Sequence, residues 1–248
     1  MFDERSKHLR RQIARVLLAS RRGHLGPALS IVEILRVLFD SVLRFDAKNP
    51  AWPERDRFIL SKGHGCIALY VLLADKGFIS EEALWGFCTF GSTLGGHPEP
   101  HTPGVEVSTG SLGHGLPIAV GMAIAIRPRR VFVLLGDGEC DEGSVWEAAM
   151  AAAKHKLDNL VVLVDYNKQQ SYGSTAEILD LEPLSAKWQA FGFMVWEVDG
   201  HSVEELETAL SIMPLCPGKP SAIICHTEKS GFHHKNDITE ADLAQYLS

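Results

Sequence analysis

The sequence has none of the features that mark membrane, secreted or nucleic acid-binding proteins. Its 248 residues include no apolar run of the roughly 18 residues that a membrane-spanning helix needs. The N-terminus is charged and amphipathic, without the apolar segment and cleavage site of a signal peptide. The 24 Lys and Arg residues are scattered, and the net charge is −7. We therefore expect no membrane and no nucleic acid among its partners.

Cysteine and glycine patterns exclude two further classes of protein. The five cysteines form no C-x-x-C pair or other zinc spacing, so reduced thiols in the cytoplasm are expected. No G-x-G-x-x-G follows a predicted strand, and no acidic residue stands at the distance that dinucleotide binding requires. A Rossmann nucleotide binder is therefore only a remote alternative. Repeats, low-complexity segments and interdomain linkers are absent as well, which predicts a single domain over residues 1–248.

Predicted strands and helices alternate along the chain, which is typical of a parallel sheet covered by helices. The hydrophobic content of 46% is enough for a full core. The predicted helices are 7–20, 31–43, 66–75, 80–87, 116–126, 144–156, 184–191, 202–212 and 239–247, and the predicted strands are 58–60, 131–135, 160–164, 194–198 and 222–225. Two helices begin with the capping-box pattern, Ser30 with Glu33 and Ser202 with Glu205. The Ala- and Gly-rich helix ending at Ile126 is predicted to be buried.

Polar residues follow two strongly apolar predicted strands. Asp137 lies after the first of them, and Asn167 comes 30 residues later, after the second. Ligands bind at the carboxyl edge of a parallel sheet, and a right-handed crossover brings these two strand ends side by side. Carboxylate and amide oxygens suit Mg²⁺ or Ca²⁺. Gly136 and Gly138 would let the backbone approach a phosphate closely.

Glycine precedes histidine five times, at positions 24, 64, 97, 114 and 201, and each pair falls in a predicted loop or strand-end turn. An imidazole on a glycine loop can reach into a cleft and exchange a proton near neutral pH. The loop from residue 89 to residue 115 is long for a compact domain, which favours a functional role. The histidine spacings match no zinc pattern, so metal binding by these residues ranks low.

Together these motifs resemble the diphosphate-binding half of the transketolase family, over about residues 8–236. The resemblance is carried by GHLG, RDRFILSKGHG, GHPE, TGSLGHG, GDGECDEG with VWEAAMAA, LVDYNKQQ and WEVDGH. It implies an α/β fold with a doubly wound, mostly parallel sheet and helices on both faces. It also implies thiamine diphosphate as the cofactor, held through Mg²⁺ or, in its place, Ca²⁺ or Mn²⁺.

The resemblance implies which residues hold the metal ion and the cofactor. Asp137, Asn167 and the main-chain carbonyl of Gln169 would bind the metal ion. The Gly-rich turn at Gly113 would lie along the cofactor. The full set of expected cofactor contacts is His24, His64, Gly113, His114, Gly115, Gly136, Asp137, Gly138 and Asn167.

The resemblance also implies a catalytic set, which is His24, His64, His97, His233 and Glu142. His24 would lie near the substrate and the cofactor phosphates, and His97 would contact the substrate hydroxyls. Glu142 matches an acid that joins a carboxylate network across the subunit interface. Two positions depart from the family: His114 stands where Gln is usual, and the loop that precedes His233 is shortened.

The activity that the resemblance implies is transfer of a two-carbon ketol unit from a ketose, phosphorylated or not, to an aldose. The pyrimidine-binding and C-terminal domains of the family have no counterpart in this sequence. We therefore expect the N-terminal subunit of a split transketolase. It would be active in an α₂β₂ heterotetramer with a second chain that carries the pyrimidine-binding domain.

Other thiamine diphosphate enzymes remain as alternatives. They are a deoxyxylulose-phosphate synthase, a phosphoketolase, a 2-oxo acid dehydrogenase α-subunit and an acyloin-type transferase of secondary metabolism. The motifs GHPE and SKGHG favour a transketolase over these. A non-catalytic protein that keeps only the fold is a third class, but Asp137, Asn167 and the loop histidines are all present.

Overall fold

The computed structural model describes residues 2–229, which fold around a sheet of five parallel strands. The strands are β1 (Arg57–Leu60), β2 (Val131–Gly136), β3 (Leu160–Tyr166), β4 (Met194–Asp199) and β5 (Ser221–His226). Their order across the sheet is β1-β2-β3-β5-β4, and every neighbouring pair is parallel. The predicted α/β class is therefore confirmed.

Helices cover the sheet, and in the sequence three of them precede β1 while the others lie between strands. They are α1 (Glu4–Ser20), α2 (Leu25–Leu29), α3 (Val32–Val37), α4 (Cys66–Asp75), α5 (Glu81–Trp85), α6 (Gly115–Ile126), α7 (Gly143–Lys154), α8 (Thr175–Ile178), α9 (Leu184–Ala190) and α10 (Val203–Ser211). A π-helical turn (Leu38–Val42) continues α3, so the predicted helix over residues 31–43 is divided. None of the helices described is long and apolar enough to span a bilayer.

Side chains of the strands alternate between two apolar layers. Phe132 and Leu134 of β2 pack in the layer formed with α1, α3, α4 and α10. Val133 and Leu135 pack in the opposite layer, formed with α6, α7 and α9. Because helices cover both faces, β2 and β3 are buried at every position. Solvent therefore reaches these two strands only at their ends, where the candidate site lies.

The predicted capping box of Ser30 and Glu33 is wrong. The residue before α3 is Ile31, which makes no side-chain cap. The Ser30 hydroxyl donates instead to Asp165 at 2.8 Å, and the Glu33 carboxylate accepts from Arg10 at 2.6 Å. Glu33 is fully buried, and a buried charge needs an opposite charge more than a helix end needs a cap.

Two other local predictions need correction. The Ser202 hydroxyl caps the N–H of Glu205 at 3.2 Å, but the Glu205 carboxylate accepts from the Asp199 N–H, so only half of that capping box forms. Helix α6 is not buried on all sides, because Ile118 and Ile124 are 36% and 47% exposed. The helix predicted for residues 239–247 lies outside the described residues.

A buried ion cluster joins the N-terminal helices to the end of β4. Glu33 Oε2 lies 2.6 Å from Arg10 Nη2 and 2.9 Å from His201 Nδ1. The guanidinium carbon of Arg10 also lies 3.8 Å from the centre of the Phe2 ring. Burial alone would raise the pKa of Glu33, but His201 and Arg10 outweigh it and lower the pKa. The carboxylate is therefore held in its charged form.

We expect Glu33→Gln to lower the free energy of unfolding by about 3–5 kcal/mol, because it leaves the Arg10 guanidinium buried without its carboxylate. Glu4→Gln is the matched control, since Glu4 pairs with Lys7 at the surface. That substitution should leave the unfolding free energy nearly unchanged. Urea denaturation followed by circular dichroism measures both variants. Equal effects would mean that the buried cluster contributes no more than a surface pair.

Candidate functional site

The carboxyl ends of neighbouring strands carry polar residues at one edge of the sheet. Ser61 follows β1, Asp137 follows β2, Asn167 follows β3 and Thr227 follows β5. The pairing of β2 with β3 places Gly136 opposite Asp165, so the residues just after these two strands are neighbours. The edge that the sequence predicts as the ligand site is therefore the place where these side chains meet.

The Asp137 carboxylate is held by backbone N–H groups. Its Oδ1 accepts from Gly138 at 2.8 Å, and its Oδ2 accepts from Lys168 at 2.5 Å. The residue is only 2% exposed. Burial, together with the negative charge of Asp165, raises the pKa of Asp137 to about 6. A carboxylate in this setting gains stability from a neighbouring cation.

The turn after β3 brings the other two predicted ligands to the same place. Asn167 Oδ1 accepts from the Gln169 N–H at 3.0 Å. Lys168, between them, adopts a left-handed backbone conformation with φ of 60° and donates to Asp137. The Gln169 carbonyl accepts from Lys229 Nζ at 3.1 Å. Asp137 and the turn that carries Asn167 and Gln169 are thus in direct contact.

These groups fit a hard divalent cation. They offer one carboxylate, one amide oxygen and one main-chain carbonyl, and an octahedral Mg²⁺ completes its shell with phosphate and water oxygens. Lys229 brings a positive charge against one of these oxygens, although burial and the charge of Lys62 lower its pKa to about 8. Within residues 2–229, no three His, Cys, Asp or Glu side chains converge as a metal site of their own.

The glycine turn before α6 is pressed between two elements of the site. An added Cβ on Gly113, whose φ is +79°, would lie 2.6 Å from Glu142 Cβ and Ser144 Oγ. One on Gly115 would lie 2.2 Å from Ser61 Oγ. Non-bonded atoms do not approach each other this closely, so both positions require glycine. The turn is therefore fixed between the end of β1 and the start of α7.

Glu139 connects three parts of this edge. Its carboxylate accepts from the Ser61 hydroxyl, from the Gly113 N–H at 2.9 Å and from the Gly136 N–H at 3.1 Å. It is 1% exposed, and burial raises the pKa of the carboxyl group. The donors come from the end of β1, the glycine turn and the end of β2. Glu139 thus holds in register the segments that carry the predicted cofactor contacts.

Three of the predicted histidines lie near one another. The rings of His24 and His64 are 6.0 Å apart, edge to face. Burial lowers the pKa of His64 to about 3, with a further contribution from Lys62, and burial and the proximity of His97 lower that of His24. His24 and His64 are therefore neutral at pH 7, in the form that can accept a hydrogen bond.

His97 is exposed and is held through its backbone and by close packing. Its carbonyl accepts from the Tyr70 hydroxyl at 2.9 Å. A Cβ on Gly110 would lie 2.7 Å from the His97 ring, so the loop before Gly113 packs directly against it. The segment that carries His97 and the glycine-rich segment that carries Gly110 and Gly113 are therefore in contact.

The remaining histidines are placed differently. His114 is exposed at the start of α6, and its Nδ1 lies 3.0 Å from the Leu112 carbonyl, so the ring turns back on its own loop. His201 belongs to the Glu33 cluster, and its Nε2 accepts from the Glu228 N–H at 2.9 Å. His233 lies outside the described residues. The five histidines that follow a glycine therefore do not share one environment.

An exposed apolar face lies on α6 and on α7, the helix that begins after Glu142. Glu142 is exposed where α7 begins. The face is formed by Ile118 and Ile124 of α6 and by Met150 of α7, which is 55% exposed. A Cβ added to Gly121 of α6 would meet no atom of residues 2–229 within 4 Å, so the backbone itself is open there. Helices α6 and α7 pack against each other, and exposed apolar side chains on neighbouring helices are typical of an interaction surface.

Sequence reasoning missed several residues that support this site. Glu139 stands inside the GDGECDEG motif and Lys62 inside SKGHG, so the motifs contain them without indicating their partners. Nothing in the local sequence points to Asp165 or Thr227, because their contacts join segments far apart in the chain. Only the position of these residues, at the end of a predicted apolar strand, could have indicated them.

Comparisons with known proteins show which family this chain resembles. The family model described as "Transketolase, thiamine diphosphate binding domain" matches residues 7–242. The 6-deoxy-6-sulfo-D-fructose transketolase subunit SqwG of Clostridium sp. (strain MSTE9) is 46% identical, over 84% of this chain and 77% of that protein. An apulose-4-phosphate transketolase subunit from Actinobacillus succinogenes is 46% identical, over 94% of this chain and 90% of that protein.

Solved structures give the same result for the fold. Transketolase from Leishmania mexicana superposes with a TM-score of 0.86 and 35% identity, over 90% of this chain. This chain spans 36% of that protein's length. The predicted cofactor, thiamine diphosphate, is therefore supported by the matched domain. The chain belongs to the transketolase family, as an N-terminal subunit that carries its thiamine diphosphate-binding domain.

Proposed function

We propose that this chain, together with a second chain, transfers a two-carbon ketol unit from a ketose to an aldose. The observation that carries the proposal is the contact between Asp137 and the turn of Asn167 and Gln169. His64, whose ring lies 6.0 Å from that of His24, is close enough to Asp165 and Lys229 for their charges to act on its pKa. Such an edge can hold a cation and a diphosphate close to side chains that bind hydroxyl groups.

The residues of this chain would bind the cofactor and contact the substrate. Asp137, Asn167 and the Gln169 carbonyl would hold Mg²⁺, and through it the diphosphate. Thiamine diphosphate, when bound, supplies the nucleophilic carbon that breaks and forms the carbon–carbon bond. The turn that contains Gly113, His114 and Gly115 would lie along it, as would Gly136 and Gly138.

The histidines would act on the substrate. Neutral His24 and His64 can accept hydrogen bonds from substrate hydroxyl groups, because their lowered pKa values keep both rings uncharged at pH 7. His97, exposed beside them, would contact the substrate hydroxyls, with His233 as a fourth member of the set. The relatives named above act on a sulfo-sugar and a sugar phosphate. A ketose with an anionic group is therefore the donor class proposed here.

A second subunit would complete the site. Both relatives are named as subunits. The exposed apolar face lies on α6 and α7. Glu142, at the start of α7, would reach a carboxylate network across the interface. We propose that this face binds a chain with a pyrimidine-binding domain, in an α₂β₂ heterotetramer. This chain would then form one diphosphate-binding domain of the assembly.

Reconstitution tests the proposed function. The chain alone should show no ketol transfer, whereas the chain purified with a partner that carries a pyrimidine-binding domain should show transfer that depends on thiamine diphosphate. The assay uses a panel of ketose donors, including ketose phosphates and 6-deoxy-6-sulfo-D-fructose. A reconstituted complex that transfers no ketol unit from any donor would refute the proposal.

Asp137→Asn should weaken binding of Mg²⁺ in the presence of thiamine diphosphate by more than about 100-fold, because it removes the charged ligand. Asp158→Asn is the matched control, since Asp158 pairs with Arg127 away from the carboxyl ends of the strands. It should change the affinity less than about threefold. Isothermal titration calorimetry measures both variants. Unchanged affinity in the Asp137 variant would mean that another group holds the cation.

His97→Ala should lower kcat/KM of the reconstituted complex by about 10- to 100-fold, because it removes a hydrogen bond to the substrate. The dissociation constant for thiamine diphosphate should change by less than about threefold. His101→Ala is the control, because His101 lies on the same loop and contacts the Thr93 carbonyl. Equal losses in turnover and in cofactor affinity would place His97 at the cofactor and not at the substrate.

A further inference from the structure

Asp165, the sixth residue of β3, is a second carboxylate beside the proposed cation site. It is fully buried, whereas the cation must remain reachable by phosphate and water. Its Oδ2 accepts from Lys62 Nζ, from Ser30 Oγ at 2.8 Å and from Asn167 Nδ2 at 3.0 Å. Its Oδ1 accepts from Thr227 Oγ1. Four side chains thus donate hydrogen bonds to its two carboxylate oxygens.

The charge of Asp165 is balanced inside the protein. Lys62 is 1% exposed, and its ammonium group donates to Asp165, to the Pro27 carbonyl at 3.2 Å and to Ser30 Oγ at 3.4 Å. Burial alone would raise the pKa of Asp165, but Lys62 and the hydroxyl donors lower it overall. With Lys62 as its counter-ion and its lone pairs occupied, Asp165 is not available as a metal ligand.

The contact with Asn167 fixes which end of that amide faces the site. An amide has an oxygen that binds a cation and an NH₂ group that repels one. Asn167 Nδ2 donates to Asp165 Oδ2 at 3.0 Å and to the Asp165 carbonyl at 3.4 Å, while Oδ1 lies toward the Gln169 N–H. A carboxylate can only accept, so an Asn167 turned the other way would set its oxygen against Asp165.

We propose that Asp165 is a positioning residue, which orients the Asn167 carboxamide so that its oxygen faces the cation. This inference rests on the proposed function, because it assumes that a cation binds there. Residues that orient metal ligands in this way have typical effects of 10- to 100-fold on metal affinity. Lys62 then serves the site indirectly, by keeping Asp165 charged and buried.

The experiment compares two double variants that differ only in the acceptor at position 165. Lys62→Met with Asp165→Asn removes both charges and keeps an oxygen that can accept from Asn167. Lys62→Met with Asp165→Leu removes both charges and the acceptor. Replacing a buried ion pair by uncharged groups is tolerated in many proteins, so both variants are expected to fold. Thermal melting of each variant checks this.

The Leu variant should bind Mg²⁺ about 10- to 100-fold more weakly than the Asn variant, measured by calorimetry on the reconstituted complex with thiamine diphosphate present. Mn²⁺ titration followed by electron paramagnetic resonance gives a second measure of the same difference. If Leu prevents folding, Asp165→Ala on the Lys62→Met background removes the acceptor without added bulk and carries the same expectation.

The outcomes separate this inference from the proposed function. Equal Mg²⁺ affinities of the two double variants, whether both high or both low, would overturn the positioning role while the cation site stands. An unsubstituted complex that binds no Mg²⁺ with thiamine diphosphate would overturn the cation site, and the positioning role with it. A loss confined to the variants without an acceptor supports the role.

Discussion

The pairing of β2 with β3 is the constraint on which the candidate site depends. Both strands are buried along their whole length. A polar side chain can therefore reach a ligand only where these strands end, at the carboxyl edge of the sheet. Their register sets Gly136 beside Asp165, and the next residues along the two strands therefore lie side by side. The main chain confirms this contact, because Asp137 N–H donates to the Asp165 carbonyl at 3.2 Å. A slip of one residue in this pairing would separate Asp137 from the turn of Asn167.

The same pairing creates an electrostatic conflict, because it places two buried carboxylates at adjacent strand ends. Each raises the energy of the other's charged form unless a cation lies nearby. The fold resolves the conflict asymmetrically. Asp165 has the ammonium of Lys62, whereas Asp137 is held by backbone N–H groups, and its pKa is raised to about 6. Asp137 is thus the carboxylate that gains most from an external cation, which supports its role in the proposed metal site.

The sequence predicted the parts of the site that follow from chain order and missed those that depend on distant partners. Asp137 and Asn167 could be paired because consecutive parallel strands with a helical crossover are usually neighbours. Lys62 and Asp165 are 103 residues apart, and no periodicity links them. The prediction for Glu33 is wrong for the same reason, since its local pattern fits a cap but its buried position demands Arg10. In each case a tertiary contact between charges overrode a local preference.

The predicted burial of helix α6 also differs from the structure, and this helix connects the candidate site to assembly. A helix that is apolar all round is normally buried, which is why the sequence predicts burial for it. The structure leaves Ile118 and Ile124 exposed, and Met150 of the neighbouring helix α7 is exposed as well. The turn that starts α6 is also the glycine turn that Glu139 holds at the strand ends. One helix therefore carries the candidate cofactor turn at its N-terminus and an exposed apolar face along its length. In the proposed heterotetramer, a partner that covers this face would lie directly beside the cofactor turn, so assembly and completion of the site become one event.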